Sequence, residues 1–245
     1  MITMRIKVVV PVSTDKWNEM IRKQYEAYKD PKTEIDIINI KKGPESLTSI
    51  YDEAWAELFA LREAEKAEEE GYDGVILYCG MDPALEAAKQ ALTIPVVGIA
   101  EPSLHISFQL GKKLAYVGPG GRDVDTDKNY ATFGEEGRYG LPAPVSRRYG
   151  IAMERPVLDI FEKMDEIKEG MLRAAKKAIE VDGADMIFVN CGALVGPTRY
   201  LKENLDVPVI ENSVVALKTL EILIKLGLSQ SKKAFPKPPK KKRLM

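Results

Sequence analysis

Side chains that bind metals are almost missing. The chain has one histidine, His105, and two cysteines, Cys79 and Cys191, in 245 residues. A structural or catalytic zinc site needs three or four ligands at short, recognisable spacings, so the sequence predicts no metal centre. Two cysteines cannot form a disulfide framework of the kind that staples small secreted domains. They could form a single bond, but only if their Cα atoms came within about 7 Å. No apolar run reaches the roughly 20 residues that a membrane helix requires. Met1-Ile-Thr-Met-Arg-Ile-Lys7 leads directly into an apolar strand and lacks the pattern of a secretory signal. These absences point to a cytoplasmic protein in a reducing compartment with no membrane partner. No complete glycine fingerprint for a dinucleotide is present, so no cofactor is expected either.

Charge is nearly balanced, at −1 overall, but unevenly placed. The segment from Ser229 to Met245 holds seven basic residues and no acid, interleaved with prolines. Such a run is predicted to be a disordered basic tail, since like charges repel and proline blocks regular structure. It solubilises more often than it recognises, so nucleic acid is not expected as a partner. Glu and Lys are abundant, a bias found in proteins of heat-loving organisms. Hydrophobic content of 45% describes an ordinary globular chain.

Within this chain a segment repeats. Gly71-Tyr-Asp-Gly-Val-Ile-Leu-Tyr-Cys79-Gly80 aligns with Gly183-Ala-Asp-Met-Ile-Phe-Val-Asn-Cys191-Gly192 at an offset of 112 residues. Downstream, Thr93-Ile-Pro95-Val-Val matches Asp206-Val-Pro208-Val-Ile, and upstream Lys7-Val-Val-Val-Pro11 resembles Leu114-Ala-Tyr-Val-Gly-Pro119. Strands alternate with helical patterns throughout, which predicts parallel sheets with right-handed crossovers. The expected fold is therefore α/β: two pseudo-symmetric parallel-sheet α/β domains facing across a cleft. Residues 1–100 form the first and 101–211 the second, with a closing helix over 212–228 packing back on the first domain.

Local signals place the helices. Ser13 or Thr14 is the expected N-cap of the first helix, whose apolar face is Trp17, Met20, Ile21 and Tyr28. Gly43-Pro-Glu-Ser46 opens a long helix with a predicted buried stripe of Leu47, Ile50, Ala54, Leu58 and Leu61. Asp82-Pro83 reads as a helix start with Asp82 as its cap rather than as a proton-transfer group. His105 falls on a helix and reads as a core or interface histidine, since no acid partner is evident. Gly118-Pro-Gly-Gly121 follows a strand and reads equally as an anion cradle or a plain turn. Residues 120–150 are rich in glycine and charge; an irregular helix and a short strand near Val145 are expected there, and a helix over Val157–Val181.

Each cysteine stands at the carboxyl end of a strand, where ligands of open α/β sheets bind. A thiolate is a competent base near neutral pH, and inverting a carbon beside a carbonyl needs a base on one face and an acid on the other. Two thiols brought to one cleft by two half-molecules supply both. Turn N–H groups after each cysteine favour thiolate and can hold a developing enolate oxygen. The competing readings are two buried structural thiols, a disulfide or a metal site.

On Cys79-Gly-Met-Asp-Pro83, Ile94-Pro-Val-Val-Gly-Ile99, Asn190-Cys191-Gly-Ala193, Val207-Pro-Val-Ile210 and Gly43-Pro-Glu-Ser46, the chain resembles the aspartate/glutamate/hydantoin racemase superfamily, nearest its hydantoin racemase branch, over about residues 5–228. The resemblance implies a cofactor-independent two-base racemase of amino-acid derivatives, in particular 5-substituted hydantoins, with Cys79 and Cys191 as the proton-transfer pair. It implies substrate contacts from Pro11, Ser13, Gly80, Met81, Gly118, Gly192 and Ala193, and a homo-oligomer. Pro11-Val-Ser-Thr14 stands where the family usually carries Pro-Asn-Thr, and Gly-Met and Gly-Ala follow the cysteines where amino-acid racemases carry Asn-Thr and Thr-His. Those departures point away from free aspartate or glutamate. The alternatives are an amino-acid racemase, a maleate-type cis–trans isomerase and a non-catalytic small-molecule binder.

Overall fold

A computed structural model describes residues 3–119, 121–123, 129–130, 149–151 and 158–242. The first sheet has four strands in the order β2-β1-β3-β4: β1 Met4–Val10, β2 Thr33–Asn39, β3 Gly74–Leu77 and β4 Val96–Gly98. All three pairings are parallel. The second sheet runs β10-β9-β5-β8-β6-β7, built from β5 Leu114–Pro119, β6 Gly121–Asp123, β7 Asn129–Tyr130, β8 Tyr149–Ile151, β9 Met186–Phe188 and β10 Val209–Ile210. Only the β6–β7 pair is antiparallel. The helices are α1 Asn18–Tyr28, α2 Ile50–Glu69, α3 Leu85–Ala91, α4 Glu101–Leu110, α5 Met164–Asp182, α6 Val195–Asn204 and α7 Asn212–Lys225.

The internal repeat extends to strand order and register. β3 lies between β1 and β4, as β9 lies between β5 and β10. Ile6 pairs with Gly74 and Leu114 with Met186; Val75 pairs with Val96 and Ile187 with Val209. Each cysteine-bearing strand is thus the inner strand of an equivalent parallel triplet. Both are apolar without alternation because both faces are covered: every residue of β3 and β9 is buried.

The helices correct several sequence-based expectations. α1 begins at Asn18, with Trp17 at the cap position and no side-chain cap, so neither Ser13 nor Thr14 caps it. Its buried side chains are Ile21, Gln24 and Tyr25, while Tyr28 is exposed. α2 starts at Ile50, capped by the Ser49 hydroxyl, which accepts the Asp52 N–H at 3.1 Å. Of its expected stripe, Leu47 is buried and Leu61 packs against the core, but the rest faces outward. Ile50 and Leu58 are exposed, together with Tyr51 and Trp55, and the helix buries Glu53, Ala56, Ala60, Glu63, Ala64 and Ala67 instead. Small residues let this helix lie close to the sheet, and close approach outweighed side-chain hydrophobicity. His105 lies on α4 as expected, but it faces outward. The helix expected from Val157 begins at Met164; Val157, the feature near Val145 and most of the glycine-rich stretch lie outside the described residues.

α7 returns to the first sheet, where Leu220 and Ile224 close over Gly74; a Cβ there would sit 2.8 Å from Leu220 Cδ1. Glu221 on the same helix accepts the Thr33 hydroxyl at 2.6 Å and the Asp30 N–H at 2.8 Å. No described helix is long and apolar enough to cross a membrane.

The tail also departs from expectation. Ser229–Phe235 is seated on α3 and the outer edge of β4. Gln230 accepts the Val96 N–H at 3.3 Å and donates to the Ile94 carbonyl at 2.8 Å. The Lys232 ammonium binds the Lys89 carbonyl at 2.6 Å and the Leu92 carbonyl, both at the C-terminal end of α3. There the helix dipole favours a cation. Lys89 in turn lies over the Phe235 ring, 5.1 Å from its centroid. One basic side chain of the tail, Lys232, thus finds carbonyl acceptors, and β4 is covered as an edge strand. Removal of residues 229–245 is therefore expected to lower stability by about 1–3 kcal/mol, from several modest hydrogen bonds and one half-buried ring. That corresponds to a fall in melting temperature of roughly 2–4 °C per kcal/mol in scanning calorimetry.

Candidate active site

β3 and β9 carry Cys79 and Cys191 just beyond their carboxyl ends, and the loops that follow are built alike. The Cys79 carbonyl accepts the Asp82 N–H at 2.9 Å, and the Cys191 carbonyl accepts the Leu194 N–H at 3.2 Å. Each strand therefore turns sharply over three residues, aiming backbone N–H groups back at its sulfur. Met81 N–H points at the Cys79 thiol, and the N–H groups of Ala193 and Leu194 point at the Cys191 thiol. Both cysteines are free and half-buried.

The two loops touch each other. Gly80 lies against Asn190, the residue before Cys191: a Cβ on Gly80 would stand 2.5 Å from the Asn190 carbonyl oxygen and 2.6 Å from its Oδ1. Gly192 lies against Tyr78, the residue before Cys79: a Cβ there would stand 2.4 Å from Tyr78 Cε1. Real Cβ atoms do not come so close, so both positions require glycine. The sequence motif X-Cys-Gly is thus used twice, with X of each copy packed on the glycine of the other.

Electrostatics separates the thiols. Burial raises both, because a thiolate taken out of water loses its hydration. Cys191, with two N–H donors in partial compensation, is pushed up to about 11. Cys79 goes higher still: burial dominates, one N–H opposes it, and the charges of Cys191, Asp82 and Glu53 add to it. The turn donors do favour thiolate as the sequence suggests, but burial outweighs them. The two thiols are coupled, so a thiolate at Cys191 raises the cost of one at Cys79.

The other predicted site residues fall in several settings. Met81 and Ala193 are buried in the two cysteine loops. Gly118 is the penultimate residue of β5 beside the second loop, 3.9 Å from Leu194 Cδ1 at its notional Cβ; the proposed anion cradle that follows it includes residues outside the described ones. Pro11 is buried at the end of β1, and Ser13 is exposed. The Ser13 N–H donates to the Pro44 carbonyl at 2.9 Å, joining the first loop to the Gly43-Pro44 segment. Asp82 caps a helix, though not the one that follows it. With φ of 47° it turns back over Gly98, and its carboxylate accepts the Ala100 N–H at 3.0 Å and the Glu101 N–H at 2.8 Å at the start of α4.

Four residues with a bearing on the site were not legible in the sequence. Glu53 is buried on the alanine face of α2 and its charge acts on Cys79; the Ala56-Ala60-Ala64 spacing was the available signal. Tyr78, Gln24 and Glu211 form a buried polar chain beside Cys191. Among the described residues no cluster of three or more His, Cys, Asp or Glu side chains is arranged to hold a metal ion.

Comparison with known proteins identifies the family. The chain matches the Asp/Glu/Hydantoin racemase family over residues 6–220. It is 33% identical to a hydantoin racemase of Pseudomonas sp. (strain NS671), over 98% of this chain and 93% of that one. It is 30% identical to a hydantoin racemase of Paenarthrobacter aurescens, over 98% and 100%. Among solved structures, the allantoin racemase from Klebsiella pneumoniae superposes with a TM-score of 0.84 at 28% identity, covering 99% of this chain and 96% of that one. Glutamate racemase RacE1 from Bacillus anthracis, at 17% identity and a TM-score of 0.64 over 91% of this chain and 82% of that one, shares the fold. The chain belongs to the Asp/Glu/hydantoin racemase family and is an isomerase of the racemase type.

Proposed function

We propose that the chain racemises 5-substituted hydantoins, with Cys191 and Cys79 as the base and acid on opposite faces of the ring carbon. The observation that carries this reading is the contact of the two cysteine loops, each aiming backbone N–H groups at its own sulfur. A hydantoin C5–H lies between a carbonyl and a ring nitrogen. Its removal leaves an enolate, which turn N–H donors stabilise far better than bulk water does. One thiolate takes the proton from one face, and the neutral thiol opposite delivers its own to the other. The electron pair of the broken C–H bond passes into the enolate and returns to form the new one. The product leaves the pair with its roles exchanged, and no metal or cofactor takes part.

Substrate class follows from the loops and the relatives together. Gly80, Met81, Gly192 and Ala193 offer backbone amides and apolar surface, with no formal positive charge to pair with a free α-carboxylate. A ring that presents amide donors and acceptors fits such a lining. The relatives at 28–33% identity are named for hydantoin and for allantoin, itself a hydantoin substituted at C5. Incubation in D2O with 5-alkyl hydantoins, 5-aryl hydantoins, allantoin, aspartate and glutamate is expected to give α-deuteration of hydantoins alone. Uptake into the amino acids with none into any hydantoin would overturn the assignment.

Cys79→Ala and Cys191→Ala are each expected to reduce racemisation by about a hundred- to ten-thousand-fold, the usual contribution of a positioned acid or base. Each variant retains α-proton exchange of one enantiomer only, with opposite preference, as followed by chiral chromatography and mass spectrometry. A single variant that racemises near the wild-type rate would remove its cysteine from the mechanism.

The active form carries one thiolate, and burial holds the readier thiol protonated up to about 11. Charge is lost, not gained, as pH falls, so kcat/KM is expected to rise through the neutral and mildly alkaline range. The slope approaches tenfold per pH unit below that value. A flat profile between pH 7 and 9 would show that a different group, or a thiol already ionised, acts as base.

A further inference from the structure

The two cysteine loops are related by the internal repeat, but the residues that cross between them are not the same. Tyr78 precedes Cys79 and Asn190 precedes Cys191. The Tyr78 side chain spans from the end of β3 to the second loop, where its hydroxyl donates to the Gly192 carbonyl at 2.9 Å. That carbonyl belongs to the peptide whose N–H partner is Ala193, one of the two donors aimed at the Cys191 sulfur. Holding the carbonyl fixes the plane of the peptide, and so the direction of its N–H.

Tyr78 is itself held on several sides. Its ring meets Tyr25 edge to face, with centroids 5.9 Å apart. The Ser213 hydroxyl donates to Gln24 Oε1 at 2.7 Å beside it, and Gln24 Nε2 donates to Glu211 Oε1 at 2.6 Å. The second Glu211 oxygen pairs with the Lys202 ammonium on α6. A buried polar group is tolerated only when satisfied, and here α1, β3, α6 and the start of α7 all contribute to satisfying this one. Burial keeps the hydroxyl protonated at any pH the enzyme meets, so it remains a donor. The reciprocal contact has no such bond: Asn190 Oδ1 is buried against Gly80 without a hydrogen-bond partner among the described residues. The brace is therefore one-sided, tight on the Cys191 loop.

We propose that Tyr78 is the positioning residue of Cys191: its hydroxyl clamps the Gly192 peptide and sets where the second thiol stands across the ring carbon from the first. The inference rests on the two-thiol reading of the site. It assigns to a residue next to one cysteine a role at the other.

Overall racemisation cannot test this, because its two directions share an equilibrium constant of one and must slow together. Single-thiol backgrounds separate the faces. Tyr78→Phe, which removes only the hydroxyl, is placed in Cys79→Ala and in Cys191→Ala. Solvent deuterium uptake into each enantiomer of a 5-alkyl hydantoin is then measured. In the Cys79→Ala background, where Cys191 works alone, exchange is expected to fall about tenfold, the scale of a sub-ångström misplacement of a reacting group. In the Cys191→Ala background, where Cys79 works alone, it stays within about twofold. Melting temperatures of the four proteins are recorded alongside. Should Tyr78→Phe fail to fold, Ser213→Ala supplies a second reading with the hydroxyl intact: it frees Gln24 Oε1, 3.4 Å from the Tyr78 hydroxyl, to compete with the Gly192 carbonyl for its proton. Equal losses in both backgrounds, or none in either, would overturn the positioning role. If the single-cysteine backgrounds themselves racemise or exchange both hands equally, the two-thiol reading has failed instead, and that result is visible before Tyr78 is changed.

Discussion

Two strands from different sheets end against each other here only because the residue after each cysteine has no side chain. Gly80 and Gly192 sit within van der Waals contact of Asn190 and Tyr78, and a methyl on either would overlap a neighbouring atom. Everything else about the site follows from that approach. It brings the turn that follows β3 and the turn that follows β9 into one small volume, where both cysteines are half-buried. The parallel triplets behind them, equivalent in order and register, deliver the two turns at matching heights.

The same partial burial sets the electrostatic problem. A buried thiolate is costly, and two side by side would cost more than the fold can offset. Backbone N–H groups reduce the penalty without adding a charge that would pair with the sulfur. They do so unequally: two reach Cys191 and one reaches Cys79, which also feels Asp82 and Glu53. A repeated fold therefore produces a pair of thiols in unequal surroundings. Such inequality is what a base and acid sharing one proton require, since a site holding two thiolates or two thiols could do neither half of the exchange.

Departures from the internal symmetry cluster around this pair. Asp82 takes a left-handed backbone conformation to reach the start of α4. Tyr78 has Asn190 as its counterpart, and a polar chain through Gln24 and Glu211 backs only the former. The closing helix α7 covers the first sheet, with Leu220 and Ile224 on Gly74. A duplicated scaffold gives two similar thiol-bearing turns, and the asymmetric additions distinguish them.

Much of this was legible from residues alone, for a definite reason. Strand identity, the place of each cysteine at a strand's end and the duplication depend on short-range pattern. An apolar run bounded by turn residues reads the same in any context. The glycine after each cysteine was also visible, although its purpose was not. What the sequence could not determine was which distant surfaces meet. Ile50 and Leu58 of the expected α2 stripe proved exposed, because the sheet accepts alanines at close range. Asp82 caps α4 rather than its own helix, since its partner N–H groups are set by a crossover. The basic tail has carbonyls of α3 to bind, and composition cannot reveal acceptors supplied by another element. Cys79 and Cys191 were determined as candidates by the sequence itself. How their surroundings differ was decided only by tertiary structure, because desolvation and neighbouring charge are properties of the packed site.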